Sequence, residues 1–277
     1  MITRWSEGVA DENMAEDILV ELGQIIGRHP WWRARTNLTL SLLDGLGIRP
    51  PARVLDAGCG WGTTLSALEA RGYRVVGADI SRRALETLDR PGRELVEVDL
   101  SCPLPQELVP FEAVLLLDVI EHIEDDRGAL SRAGSLVKPG GVLIVSVPAR
   151  PDLFTEFDAI QGHRRRYLPE TLSAAFEGTD LTLERLFWWG QWMVPIIRWQ
   201  RRKKRGIAGE SPAETYRRYL KIPPWPGSLA LRMAYALERR RAITGKLSTG
   251  SSLFVVARRP PDRQSCAESG LGVAAVQ

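Results

Sequence analysis

Five short runs between residues 53 and 147 are apolar at nearly every position: RVLDAG, YRVVGADI, ELVEVD, EAVLLLDV and GVLIVSV. A strand with one wet face alternates apolar and polar residues. An unbroken apolar run is covered on both faces, as in a parallel sheet between two layers of helix. The segments between these runs (TTLSALEARG, SRRALETLDR, a Pro-rich connection and DDRGALSRAGSLVKPGG) are helical or turn-forming. The last closes on Lys-Pro-Gly-Gly, a helix-stop and turn signal. The alternation predicts an α/β chain with an open, doubly wound, mostly parallel sheet. Residues 169–177 (PETLSAAFE) read as a helix, TLERLFWW as a sixth strand and SSLFVVARRP, at 251–260, as a late strand. The roughly sixty residues between these last two strands are too many for a loop and form an insertion over one edge.

Upstream, residues 13–47 place Met14, Ile18, Leu22, Ile25, Ile26, Leu38, Leu42 and Leu43 at helical spacing, interrupted by His29-Pro30. Two helices are expected there. The organisation is then an N-terminal helical lid at 1–47, a Rossmann-like domain at 48–188 and 251–260, a helical insertion at 189–250, and a disordered tail at 261–277. A chain of 277 residues with 44% apolar and 26% charged residues is an ordinary globular one, not a disordered or fibrous one. Its longest notable uncharged apolar run, residues 186–197, is twelve residues, short of the ~20 a membrane span requires. The first residues carry no apolar signal region, and Cys59, Cys102 and Cys266 show neither disulfide nor metal spacing. A reduced, cytoplasmic setting is expected.

Charge is unevenly placed. Between residues 198 and 241 there are thirteen Lys/Arg against three Asp/Glu, and the rest of the chain has 24 against 31. A basic segment on an acidic protein needs an explanation. Nucleic-acid binding is not expected, because no recognition motif accompanies the stripe.

After the first strand comes Asp56-Ala-Gly58-Cys-Gly60-Trp-Gly62, then a helix. Glycines serve where the chain turns sharply or a ligand must approach the backbone, and the helix start directs free N–H groups at that ligand. The second strand ends Asp79-Ile80, putting a carboxylate where it can accept both hydroxyls of a ribose. The third ends Asp99-Leu100, with a second acid placed for an adenine amino group. Ligands of open α/β sheets bind at these strand ends.

The G-x-G-x-G spacing differs from the dinucleotide G-x-G-x-x-G, which makes a NAD(P) domain the weaker reading. With the two acids, the pattern resembles the class I S-adenosylmethionine-dependent methyltransferases over roughly residues 53–148. VLDAGCGWG is similar to their first motif, Asp79 to their ribose acid, Asp99 to their adenine acid, LLLDVIEHI (with Asp118) to their fourth motif and LVKPGGVLIVSVP to their fifth. HPWWRART and GHRRRYLPETL resemble one bacterial branch of that family. The resemblance implies S-adenosylmethionine as cofactor, S-adenosylhomocysteine as product, and a seven-stranded sheet with an antiparallel last strand. It implies no particular acceptor.

On the acceptor side, His163 in GHRRRY follows the fifth strand and is the leading candidate for a base or acceptor-orienting group, with Tyr167 to orient it or to bind substrate. His122 lies just past strand four, near the expected methyl position. On a helical turn Asp118, Glu121 and His122 would share a face and could hold a divalent ion, as in the ubiquinone-type O-methyltransferases with a similar Glu-His pair. The favoured expectation is that no metal binds and His122 caps a helix under the cofactor. Arg35 is a candidate for the methionine carboxylate of the cofactor, and Trp31 and Trp32 for a lid packed on the core.

Residues 187–205 join four tryptophans to a polybasic run. A cap over an apolar acceptor cavity is the first reading, peripheral membrane contact the second. The expectation overall is a cytoplasmic methyltransferase acting on a small molecule with an apolar or aromatic body, by O-methylation. The alternatives are N- or C-methylation of a natural-product or lipid-linked acceptor, and a membrane-peripheral binding protein with a vestigial cofactor fold. A homodimer is left open.

Overall fold

In the computed structural model, residues 1–7, 23–203, 211–221 and 224–262 are described. Strands β2 (Arg53–Ala57), β3 (Arg74–Asp79), β4 (Glu94–Glu97), β5 (Phe111–Leu117) and β6 (Val137–Pro148) are the five apolar runs. They pair in parallel, and Ala113, Val114, Leu115 and Leu116 of β5 are fully buried. β7 (Thr182–Trp189) and β8 (Ser252–Arg258) complete the far edge, with β8 antiparallel to both neighbours. The sheet order is β1-β4-β3-β2-β5-β6-β8-β7.

The sheet therefore has eight strands where seven were expected. The additional one, β1 (Ile2–Arg4), lies parallel to β4 at the edge, so the first residues belong to the sheet and not to the lid. Three residues are too few to show a pattern. Tertiary contacts hold them: Arg4 pairs with Glu97 at 2.5 Å, and Trp5 lies 6.3 Å from Phe111, centroid to centroid.

Helices cover both faces. α1 (Gly23–Arg28) and α2 (Pro30–Gly45) are divided at His29-Pro30 as expected. Pro30 needs no N–H at a helix start, and His29 Nδ1 accepts from Trp31 N at 3.2 Å as the cap. The part of that prediction resting on Met14, Ile18 and Leu22, and most of the 261–277 tail, lie outside the described residues. α3 (Thr63–Ala70), α4 (Arg82–Leu88), α5 (Asp126–Ser135) and α7 (Pro169–Ala175) connect strands, and a short α6 (Glu156–Ile160) precedes α7. α5 stops ahead of Lys138-Pro139-Gly140-Gly141, which forms the irregular start of β6. The insertion is helical: α8 (Met193–Lys203), α9 (Pro212–Tyr219) and α10 (Gly227–Ile243). Among the described residues no helix is long and apolar enough to cross a membrane.

Strand order reverses between β2 and β5. Their two exit loops diverge into a crevice at the carboxyl end of the sheet, where ligands of such sheets bind.

Candidate functional site

The chain leaves β2 through Gly58, Gly60 and Gly62, all at positive φ (79, 45 and 68°). A Cβ on Gly58 would lie 2.3 Å from Val119 Cγ2, so the exit loops of β2 and β5 meet only because Gly58 has no side chain. Above them lies a cavity of about 340 Å³. Gly58, Gly60, Asp79, Ile80, Asp99 and Leu100, six of the residues the sequence offers as cofactor contacts, line it. Asp79 is fixed in place: Oδ2 accepts from Gly60 N at 2.8 Å and Oδ1 from Ser81 N at 3.0 Å. Burial raises its pKa against these N–H donors. Asp99 accepts from Ser101 N at 2.8 Å, and its own N–H donates to Ser6 Oγ, so the β1 segment helps place it.

Two expected cofactor residues do not reach the cavity. Gly62 caps α3 against Leu88. Asp56 is buried beneath the loop beside α3, its Oδ2 has no hydrogen-bond partner, and burial pushes its carboxyl up to about 7. Arg35 and Asp118 do line the cavity, but they are ion-paired with each other. Asp118 sits at φ 59°, and its Oδ1 accepts from Ser146 Oγ at 3.0 Å. This left-handed turn, which Asp tolerates better than most residues, starts the short helical turn Ile120–His122.

That turn brings Glu121 and His122 up to His163. One ligand atom from each of the three lies within 4.8 Å of the others. The two imidazoles meet edge to face, centroids 4.8 Å apart. Glu121 is 0% exposed and neither carboxylate oxygen has a hydrogen-bond partner; the nearest counter-group is His163 Nε2, at 3.8 Å from Oε1. Burial, and then the charge of Asp118, raise its pKa well above the usual carboxylate value. His122 is lowered to about 4 by burial and by His163, so it is neutral, and its Nδ1 has no partner. A carboxylate buried this way costs several kcal/mol, of order 3–5, unless it is protonated or paired. One carboxylate and two imidazoles at this spacing suit a divalent transition-metal ion after small side-chain rotations. The third member of the group is thus His163, not Asp118, which Arg35 has taken.

His163 is set by a residue that sequence reading missed. Asp158 Oδ1 lies 3.1 Å from His163 Nδ1 and also accepts from Arg166 Nε at 2.8 Å. Burial opposes its charge, but His163 and Arg166 outweigh burial and hold Asp158 below its ordinary pKa. An ionised carboxylate only accepts, so His163 Nδ1 is the donor in that contact, and Nε2 faces Glu121 Oε1 at 3.8 Å. A local signal existed: Thr155 and Asp158 form the capping box of α6, and Asp158 stands five residues before His163.

Tyr167 does not do what was expected of it. It is 2% exposed, does not line the cavity, and donates its hydroxyl to Asp126 Oδ2 at 2.8 Å. It ties the His163 segment to α5. Met193, Ile197 and Gln200 of α8 and Tyr219 and Leu220 at the end of α9 line the cavity from the insertion, together with Trp31, Trp32 and Trp61. Trp192 is not among these residues; it packs on Tyr235 of α10, centroids 4.7 Å apart.

Residues 31–186 match the family described as Methyltransferase domain. Ubiquinone biosynthesis O-methyltransferases are similar over part of the chain. The one from Paracidovorax citrulli is 28% identical over 134 residues, 43% of this chain and 56% of that protein. The one from Alkalilimnicola ehrlichii is 37% identical over 118 residues, 40% and 47% respectively. The chain thus spans about half the length of these relatives. The solved [4+2]-cyclase SpnF shares the fold at a TM-score of 0.58 and 17% identity, over 94% of this chain and 98% of that one. The family match covers more than half of the sequence, from α2 into β7: the chain belongs to the methyltransferase-domain family.

Proposed function

We propose that this methyltransferase acts on a hydroxyl oxygen of a small acceptor with an apolar or aromatic body, and that Glu121, His122 and His163 hold a divalent ion beside it. The observation that carries the reading is the buried carboxylate of Glu121, without a hydrogen-bond partner and facing two imidazoles at the cavity. The cap supports the acceptor class, since Ile197, Leu220 and the tryptophans give it an apolar wall. The relatives' names, O-methyltransferases of ubiquinone biosynthesis, point to oxygen as the methylated atom.

Methyl transfer is an in-line displacement: the acceptor oxygen forms a bond to the methyl carbon as the carbon–sulfur bond breaks, and S-adenosylhomocysteine leaves. A hydroxyl must also lose its proton. A divalent ion, when bound, supplies the Lewis acidity that lowers the pKa of a nearby hydroxyl. The chain's own groups do the rest. Asp79 and Asp99 position the cofactor, Asp158 orients the His163 ring, and the insertion supplies one wall of the cavity.

One observation keeps His163 as a base in view. The Asp158–His163 pair has the orientation of a carboxylate-supported general base, with Nδ1 held by Asp158 and Nε2 facing Glu121. Labelled S-adenosylmethionine and a panel of phenols and catechols separate the readings. Loss of turnover on chelation, restored by a divalent ion, supports the ion. Chelator-insensitive turnover that falls about a hundredfold in His163→Ala supports the base. Turnover that survives both refutes both and leaves proximity alone.

A further inference from the structure

The last helix of the insertion has its polarity reversed. α10 buries Tyr235, Glu238 and Ala242 but presents Leu229, Met233 and Leu237 to solvent at 48, 65 and 64% exposure. These three recur at four-residue steps and form one stripe. Trp225, just ahead of the helix, is 78% exposed and extends it. On a 3.6-residue wheel Arg232 and Arg239 border one side of the stripe and Arg241 the other, with Arg240 at its C-terminal end. The only acid of the helix, Glu238, is buried and accepts from Gln191 N. The outer face therefore carries apolar groups and positive charge without negative charge.

Two occupants could cover such a stripe. A second copy docked by two-fold symmetry would bring both rows of arginines together with no acid on the helix's outer face to offset them. A lipid surface with anionic headgroups meets both features at once, the stripe entering the acyl boundary and the arginines reaching phosphates. The segment that the sequence offers as a second reading for membrane contact, residues 187–205, is only partly described. Phe187 and Trp189 are buried and Trp192 packs on Tyr235, while Trp199 is about half exposed; Lys204 and Arg205 lie outside the described residues.

We propose that α10 lies on anionic lipid, with Trp225, Leu229, Met233 and Leu237 in the apolar boundary and Arg232, Arg239, Arg240 and Arg241 at the headgroups. Trp192 ties α10 to the start of α8, a wall of the acceptor cavity, so the surface that binds lipid belongs to the same unit that caps the site.

Sedimentation of the full chain with phosphatidylglycerol or phosphatidylcholine vesicles tests this. Binding is expected to phosphatidylglycerol only, weakening as salt rises. The double variant Met233→Glu/Leu237→Glu should reduce partitioning about tenfold or more. Arg232→Gln and Arg240→Gln should each reduce it by about fivefold. All these side chains are exposed, so folding and S-adenosylmethionine affinity, followed by circular dichroism and calorimetry, should match wild type. A wild type indifferent to phosphatidylglycerol overturns the proposal, and so does a Met233→Glu/Leu237→Glu variant that binds it unchanged. A dimer that dissociates in that variant, without vesicle binding, overturns it in favour of a second copy.

Discussion

Replacing Glu121 by Gln should stabilise the ion-free protein at neutral pH and abolish its stabilisation by divalent ions. Glu121 is fully buried, has no hydrogen-bond donor at either oxygen and has the charge of Asp118 nearby, so its folded pKa lies well above the ordinary value of 4.5. A carboxyl with a raised folded pKa binds its proton more tightly in the folded state. Stability is therefore greatest below pH 4.5 and falls as pH rises toward the folded pKa. One proton gives at most about 1.4 kcal/mol per pH unit while the pH lies between the unfolded and folded pKa. Gln has the same shape and does not titrate. The wild-type-minus-variant difference in melting temperature, measured in chelator, should therefore grow by about 2 °C per kcal/mol across that interval. Taking the difference removes the slopes of Asp56 and Asp79, which both proteins share. Adding a divalent ion at about a hundred times its dissociation constant should return about 2.7 kcal/mol to the wild type and nothing to Glu121→Gln. Parallel pH slopes in the two proteins would refute the burial argument, and equal stabilisation of both by the ion would refute the ligand set.

Asp79→Ala removes a carboxylate already oriented by two backbone donors at the cavity edge. S-adenosylmethionine affinity should fall by about 2 kcal/mol or more in calorimetry, and an unchanged affinity would reject its assignment as the ribose acid. Gly58→Ala puts a Cβ 2.3 Å from Val119 Cγ2 at a φ of 79°. It should cost about 1–3 kcal/mol in chemical denaturation, and Val119→Ala added to it should recover only the steric share. Ile197→Ala trims the cap, so it should raise the acceptor KM with little change in kcat or cofactor affinity; an unaltered KM would take α8 out of acceptor binding.

The cofactor half of the site was legible because its signals are local. A strand covered on both faces must be apolar throughout, and β5 is. A loop at positive φ pressed against a neighbouring side chain must be glycine, and Gly58, against Val119, is. The acids Asp79 and Asp99 lie beside recognisable strand ends, so their place follows from the sheet. The same local reasoning could not tell which members of these motifs face the ligand. Asp56 and Gly62 belong to the glycine motif yet sit beneath or behind the loop.

The acceptor half was decided by the path of the chain. Three residues of β1 carry no periodicity and join the sheet only through β4. Tyr167, four residues from His163, turns away to Asp126, and Trp192 turns from the cavity to Tyr235. Asp118 is three residues from Glu121 but is held by Arg35 of α2, whereas His163, more than forty residues away, completes the group. Spacing along a sequence specifies neighbours only within one helix or strand. Glu121 and His122 stand on the turn after β5, Asp158 and His163 on α6 and the segment that follows it after β6, and the two segments converge because β5 and β6 are adjacent in a parallel sheet and release their chains at the same edge.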